Sequence, residues 1–259
     1  MNQPAPVLIS TDFDGTLILD YNSPSLAPRF FAYLARLRQQ RRVVWVINTG
    51  REWESLGEIL ASKSLPFFPD WMALLEREIY RIKDRELVAL EHWNKRSDSQ
   101  HDDLFKRAGS ALDKLRHHVE QSDYAEVISD TGSPFGICAK TDAHADQIAE
   151  EAYSLLADFP EIMLVRNSVY ARFAHINFHK GSCLEAIAKE ENISKDNIFA
   201  IGDHLNDLQM LNPRYATHIA CPANSTETVK QAVREHGGYV ANGEAADGVV
   251  EALEHFFGK

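Results

Sequence analysis

The sequence predicts an α/β protein: a parallel sheet assembled from both ends of the chain and interrupted by an inserted α+β segment. Three observations carry this. Apolar runs at residues 7–9, 43–47 and 198–201 have the length and continuity of buried strands. Stretches with helical periodicity separate strands within each end of the chain, the order a parallel sheet needs because its strands are joined by crossovers. The middle of the chain instead carries many short strand-like runs with two helices, which points to an antiparallel α+β segment.

The elements follow in order. Residues 7–11 form the first strand, which runs into Asp12-Phe13-Asp14-Gly15-Thr16. Residues 25–39 read as a helix with Leu26, Phe30, Leu34 and Leu37 on one stripe. The strand at 43–47 ends in Asn48-Thr49-Gly50-Arg51, and a helix follows over about 52–61. Pro66 and Pro69 break the chain before a third strand at 71–75. A hairpin is expected over 78–82 and 86–90 around Lys83-Asp84-Arg85. A polar stretch, 94–103, leads into a charged helix to about 120. Strands are expected at 124–128, 135–139, 162–165, 169–173 and 175–178, with a helix at 143–156. Alternation resumes with a helix at 181–191 and a strand at 198–201 that ends in Gly202-Asp203. A helix beginning at 207–211, a strand at 216–220 and helices at 226–235 and 246–256 complete the chain. The expected division is a core of residues 1–78 and 177–259 around an insert of residues 79–176.

Composition narrows the function. With 44% hydrophobic residues in 259, the chain has material for a normal core. A net charge of −11 disfavours a bulk nucleic-acid surface, so an anionic substrate must be attracted by a local site. Cys138, Cys183 and Cys221 lie far apart without a CxxC pair, as expected for a reducing compartment without structural zinc. Residues 1–6 lack a basic region followed by a long apolar stretch, and no apolar run reaches membrane-spanning length. A cytoplasmic protein without nucleic-acid or membrane partners is expected.

The chemistry begins at Asp12 and Asp14. Two carboxylates one residue apart, at the carboxyl end of a strand where α/β sheets bind ligands, call for a cation or a chemical task. Gly15 lets the chain turn and lets backbone N–H groups approach an anion. Asp203 and Asp207, in Gly202-Asp203-His204-Leu205-Asn206-Asp207, add two carboxylates after another core strand.

Taken together, Asp12-Phe13-Asp14-Gly15-Thr16, Thr49-Gly50-Arg51, Lys180-Gly181 and the segment from Gly202 to Asp207 resemble the haloacid dehalogenase superfamily, in its aspartate-nucleophile phosphatase branch. The insert resembles the large α/β cap of subclass IIB, and the later Pro222-Ala223-Asn224-Ser225 and Asp247-Gly248-Val249 also look like that subclass. The resemblance implies a Rossmann-like parallel core with a cap that closes over the site and sets specificity. Asp12 would be the nucleophile and Asp14 the general acid and base. Thr49 would hold phosphoryl oxygens, and Lys180 would neutralise the transferring group. Gly15, Gly50, Arg51 and Asn206 are the further expected phosphate- or substrate-binding residues. Asp12, Asp14, Asp203 and Asp207 outnumber Lys180 in charge. Mg²⁺ is therefore the expected cofactor, held by Asp12, the Asp14 main-chain carbonyl and Asp203, with Asp207 direct or through water.

Members of the subclass act on small phosphate esters, commonly phosphorylated sugars, and the stretch around Glu78-Ile79-Tyr80 is somewhat like that of sucrose-phosphate phosphatases. Leu74-Leu75-Glu76-Arg77 stands where that group has a glycine-containing segment. Three readings stay open: a phosphomonoester hydrolase acting on a sugar phosphate, a phosphomutase, and a non-catalytic sugar-phosphate sensor. Elsewhere, Glu76-Arg77-Glu78 reads as a solvated charge run, Asp130-Thr131-Gly132 as a turn, His117-His118 as a solvated helix face, and Trp93, Tyr124, Phe135, Tyr170 and Phe173 as packing residues of the insert.

Overall fold

The structure is a computed structural model and describes residues 4–258; the first half of the 1–6 segment lies outside these. From the N-terminus come β1 (Val7–Thr11), α1 (Pro28–Gln40), β2 (Val43–Asn48), α2 (Trp53–Ala61), β3 (Trp71–Leu74), β4 (Glu78–Lys83) and β5 (Glu86–Ala89). Next are α3 (Glu91–Gln121), β6 (Ala125–Ile128), β7 (Gly136–Ala139), α4 (Asp142–Leu155), β8 (Ile162–Asn167) and β9 (Tyr170–His175). The chain returns with α5 (Lys180–Glu190), β10 (Ile198–Ile201), β11 (His218–Cys221), α6 (Glu227–Glu235), β12 (Tyr239–Val240) and α7 (Ala245–Phe257). One compact unit comprises the chain up to Leu90 and from Lys180 onward; the other is Glu91–His179.

The first unit holds an eight-stranded sheet in the order β12-β11-β10-β1-β2-β3-β4-β5. Strands β12 to β3 are parallel, and β4 and β5 add an antiparallel edge. The chain moves from β1 toward β2 on one side and later returns to β10 on the other. The carboxyl ends of β1, β2 and β10 therefore meet at the topological switch point, where such sheets place ligands. Trp45 anchors one face of the sheet. It is fully buried, meets Phe30, Phe31 and Phe67 edge-on, and its indole N–H donates to Thr11 Oγ1 at 3.1 Å. Helices α1, α2 and α7 contribute Leu34, Leu56 and Leu253 to this same core. Pro28 in the first turn of α1 presets a helical φ, and the Thr226 hydroxyl caps α6 by accepting from Val229 N–H.

Several expectations are corrected. The hairpin assigned to the insert extends the core sheet instead: Leu74 pairs with Glu78, Ala73 with Ile79, and Tyr80 with Ala89. The first boundary therefore falls after Leu90 rather than at 79, and the second before Lys180 rather than at 177. The expected strand at 175–178 is a turn, closed by Phe178 N–H on the His175 carbonyl at 2.8 Å. The helix expected from 207 is a 3₁₀ turn over Leu205–Gln209, and β12 is an additional short strand.

In the second unit, α3 and α4 pack on a four-stranded antiparallel sheet in the order β6-β7-β9-β8. The polar stretch 94–103 is itself helical, the first part of the 31-residue α3. Its inward stripe runs Trp93, Ser97, His101, Leu104, Ala108, Leu112, Leu115 and Val119. His101 fits because both ring nitrogens are used: Nδ1–H donates to the Ser97 carbonyl at 2.8 Å, and Nε2 accepts from His175 N–H at 3.0 Å. Phe135 and Phe173 pack in this core, and Asp130 forms a turn by accepting from Gly132 N–H at 2.9 Å. His118 lies at the surface against Glu151, as a solvated face should.

Candidate active site

Each acidic residue arrives from the carboxyl end of a core strand. Asp12 directly follows β1, and its N–H donates to the Ile201 carbonyl at 3.0 Å, so β10 fixes its backbone. Asp203 follows β10 by one residue, and Asp207 sits on the 3₁₀ turn beyond it. Lys180 opens α5, whose first carbonyl accepts from the Asn48 amide at the end of β2 at 2.9 Å.

The Lys180 ammonium lies between two carboxylates, 2.7 Å from Asp12 Oδ1 and 2.6 Å from Asp207 Oδ1, and all three groups are buried. Burial works against the charge on Lys180. Asp12, Asp207 and Glu76 more than offset it, so its pKa is raised. Burial, followed by the Asp207 charge, pushes Asp12 well above the ordinary aspartate range while Lys180 pulls it down. The same two causes, in the same order, push Asp203 up to about 7.

These upward shifts are what an additional cation would reverse. The side-chain oxygens of Asp12, Asp203 and Asp207 lie within 4.8 Å of one another, a set of hard oxygen donors suited to Mg²⁺. Asp207 is the most committed of the three. Its Oδ1 faces Lys180, and its Oδ2 accepts from the N–H groups of Asp203 and His204 at 2.9 and 3.0 Å. Asp12 and Asp203 are therefore better placed as direct ligands, with Asp207 holding the loop and the lysine. Thr16 steadies Asp203 through a 2.8 Å hydrogen bond to Oδ1.

Two glycines allow this crowding. A Cβ on Gly15, whose φ is +75°, would fall 2.3 Å from Asp203 Oδ2; one on Gly202 would fall 2.3 Å from Asp207 Cγ. The N–H of Gly15 already donates to the Ile18 carbonyl at 2.9 Å. Its observed contribution is thus conformational, and its own N–H is used within the turn.

Asp14 points to a different set of partners. Arg51 grips both its oxygens, with Nε at 2.7 Å and Nη2 at 2.8 Å, and the Tyr21 hydroxyl donates to Oδ1. Its side chain is thus engaged by these donors and is not one of the three grouped carboxylates. Thr49 is buried; its hydroxyl accepts from Arg51 N–H at 3.2 Å and keeps its own proton for an acceptor. Gly50 lies between them in the same loop.

The sequence reading missed two participants. Tyr21 completes the grip on Asp14, and a lone tyrosine in a loop carries no local signal. Glu76, expected to be solvated, is buried at 4% exposure and accepts from Asn206 Nδ2 at 2.7 Å.

A buried lysine–carboxylate cluster thus stands at the switch point of the α/β sheet. The chain belongs to the haloacid dehalogenase-like hydrolases, whose family profile matches residues 71–253. The profile of sucrose-6F-phosphate phosphohydrolases matches residues 5–128. A phosphatase of Bacillus subtilis (strain 168), 5-amino-6-(5-phospho-D-ribitylamino)uracil phosphatase YcsE, is 25% identical over 255 residues, covering 96% of this chain and 95% of the relative. Among solved structures, the sucrose-phosphatase of Synechocystis sp. PCC6803, in complex with sucrose and phosphate, superposes with a TM-score of 0.74 at 18% identity, covering 99% of this chain and 98% of that one. The subclass IIB sugar phosphatase BT4131 gives a TM-score of 0.58 at 16% identity, covering 96% and 98%. These likenesses establish the core-and-insert fold, and family membership makes the chain an enzyme of the hydrolase class.

Proposed function

We propose that the protein is a Mg²⁺-dependent phosphomonoester hydrolase acting on a small phosphorylated metabolite, in the first instance a sugar phosphate. The observation that carries this reading is the Lys180 ammonium within 2.7 Å of both Asp12 and Asp207, beside Asp203. Such a cluster fixes a nucleophilic oxygen beside an ammonium, and a cation held by the carboxylates would add the positive charge that a transferring phosphoryl group needs. Relatives named as phosphatases of a ribityl phosphate and of sucrose phosphate support the substrate class.

An Asp12 carboxylate oxygen attacks phosphorus, and the bond from phosphorus to the ester oxygen breaks. Asp14 supplies the proton that the departing alkoxide needs. Water then attacks the aspartyl-phosphate while Asp14 takes a proton from it, which restores Asp12 and frees phosphate. Asp14 can do this only after exchanging one of its three donors for the substrate, so Arg51 and Tyr21 hold it ready between turnovers. Bound Mg²⁺ would lie against Asp12 and Asp203 and supply electrostatic stabilisation. Choice of the leaving group is assigned to the unit formed by Glu91–His179. Asp14 also favours catalysis over a sensor role, because a binder has no use for a proton carrier.

The test is phosphate release from a panel of sugar phosphates with Mg²⁺ and with chelator, alongside Asp12→Asn. Metal-dependent release that the variant loses supports the reading. Release that survives the substitution overturns the nucleophile, and a wild type that binds but never releases phosphate favours a sensor or a mutase.

A further inference from the structure

Between β3 and β4 the chain reverses through two consecutive left-handed residues, neither of them glycine: Leu75 with φ +51° and Glu76 with φ +61°. Side chains disfavour this conformation, and non-glycine residues hold it only where surroundings over-determine it. Here they do. Arg77 N–H closes the turn on the Leu74 carbonyl at 3.0 Å. Leu75 N–H donates to the Arg51 carbonyl and Glu76 N–H to the Thr49 carbonyl, each at 3.0 Å. The Cys183 thiol donates to the Glu76 carbonyl at 3.3 Å. The turn is thus stitched to the Thr49-Gly50-Arg51 loop, and the position that would most readily accept glycine holds a buried carboxylate instead.

That carboxylate faces Asn206. Its Oε1 accepts from Asn206 Nδ2 at 2.7 Å. A carboxylate offers only acceptors, so the amide is held with nitrogen toward Glu76; a flipped amide would set oxygen against oxygen. The other end of the amide, Oδ1, is a buried atom without a hydrogen-bond partner among the described residues. A buried acceptor left unpaired is costly unless a ligand or an ordered water fills it.

We propose that Glu76 is a positioning residue: it locks the Asn206 amide so that Oδ1 stands as an acceptor for a hydroxyl group of the substrate. This rests on the phosphatase reading and deepens it, because it specifies a hydroxylated phosphate ester. A site built to pair with a hydroxyl discriminates strongly against esters that lack one.

The experiment compares two esters in the presence of Mg²⁺: the best-cleaved member of a sugar-phosphate panel and p-nitrophenyl phosphate, whose leaving group has no further hydroxyl. Glu76→Gly keeps a residue suited to the left-handed backbone and removes the carboxylate. Its melting temperature is expected to equal or exceed that of wild type, while kcat/KM for the sugar phosphate falls at least tenfold relative to the aryl ester. Glu76→Gln, whose amide permits either orientation of Asn206, is expected to lose the same preference in part and covers the case in which Glu76→Gly does not fold. Asn206→Ala should lose it to the same extent as Glu76→Gly, and the double variant should lose no more. Leu75→Gly relaxes the same turn without touching the carboxylate and should keep the wild-type ratio. An unchanged ratio in Glu76→Gly and Glu76→Gln, or additive losses with Asn206→Ala, would overturn the assignment of Glu76 while leaving the phosphatase reading intact. A wild type that cleaves neither ester would remove the phosphatase reading itself and this inference with it.

Discussion

Arg51 holds Asp14 by both carboxylate oxygens, Nε at 2.7 Å and Nη2 at 2.8 Å, while Nη1 is tied to Ser55 Oγ at 2.6 Å. The guanidinium is thus fixed on one side by α2 and fixes Asp14 on the other. A lysine would keep the charge and lose the fork. Arg51→Lys should therefore lower kcat by roughly ten- to a hundredfold, short of the ~10²–10⁴-fold that a well-placed acid–base group contributes because Asp14 itself stays, with little change in melting temperature. Steady-state kinetics beside a thermal melt checks this; wild-type kcat in Arg51→Lys would show that Asp14 needs no such grip.

Among the described residues, Lys180 is the cation that pairs with both Asp12 and Asp207. Lys180→Met leaves buried carboxylates facing one another. Removing one partner of a buried ion pair costs about 3–5 kcal/mol, and chemical denaturation should show a loss of that order. Added Mg²⁺ is expected to recover part of it. A neutral effect on stability would mean that water reaches the cluster freely.

Mg²⁺ itself should stabilise the wild type. A ligand at one hundred times its Kd adds about 2.7 kcal/mol, which for a chain of this size raises the melting temperature by roughly 5 °C or more. The shift should vanish with chelator and be largely lost in Asp203→Asn. Calorimetric scanning of both proteins with and without Mg²⁺ measures it, and an equal shift in the two would exclude Asp203 as a ligand.

Glu251 offers a pH test away from the site. Burial alone would raise its pKa. Donation from Tyr239, from the N–H groups of Asn242 and Gly243 and from the Asn242 amide outweighs that, and holds it at about 2. The folded value lies below the ordinary glutamate value near ~4.3. Its contribution is therefore complete above that pH and fades as pH falls toward 2. Glu251→Ala is expected to cost about 1.5–3 kcal/mol at pH 7, with the gap from wild type closing progressively below pH ~4. Urea denaturation at pH 7 and pH 3 reads both numbers; a gap independent of pH would assign the loss to packing.

Gly202→Ala tests the crowding. The added Cβ would overlap the Asp207 carboxylate, which cannot move without releasing Lys180 and the N–H groups of Asp203 and His204. Activity should fall at least a hundredfold, since small misplacements at a site of this kind are amplified in rate. A variant with near-normal kcat would show that the 3₁₀ turn shifts without cost.

The sequence by itself determined the parallel core. The runs around Ile9, Ile47 and Ile201 have the length and continuity of buried strands, and Asp12, Asp14, Asp203 and Asp207 were legible because short motifs directly follow those strands. Periodicity and strand-end placement are local properties, so one window of sequence holds them. The start of α3 was not legible because Ser97 and His101 occupy its inward stripe, where a hydropathy pattern expects apolar residues and only the hydrogen bonds to Ser97 and His175 explain the fit. The hairpin 78–89 was placed in the insert because pairing with β3 depends on register and not on composition. Tertiary structure alone decided the partners of the charged groups: that Arg51 turns to Asp14, that Lys180 sits between Asp12 and Asp207, and that Glu76 leaves solvent to meet Asn206, 130 residues away. A carboxylate on a turn looks solvated in any local window, and its burial is affordable only because a distant donor arrives to pair with it.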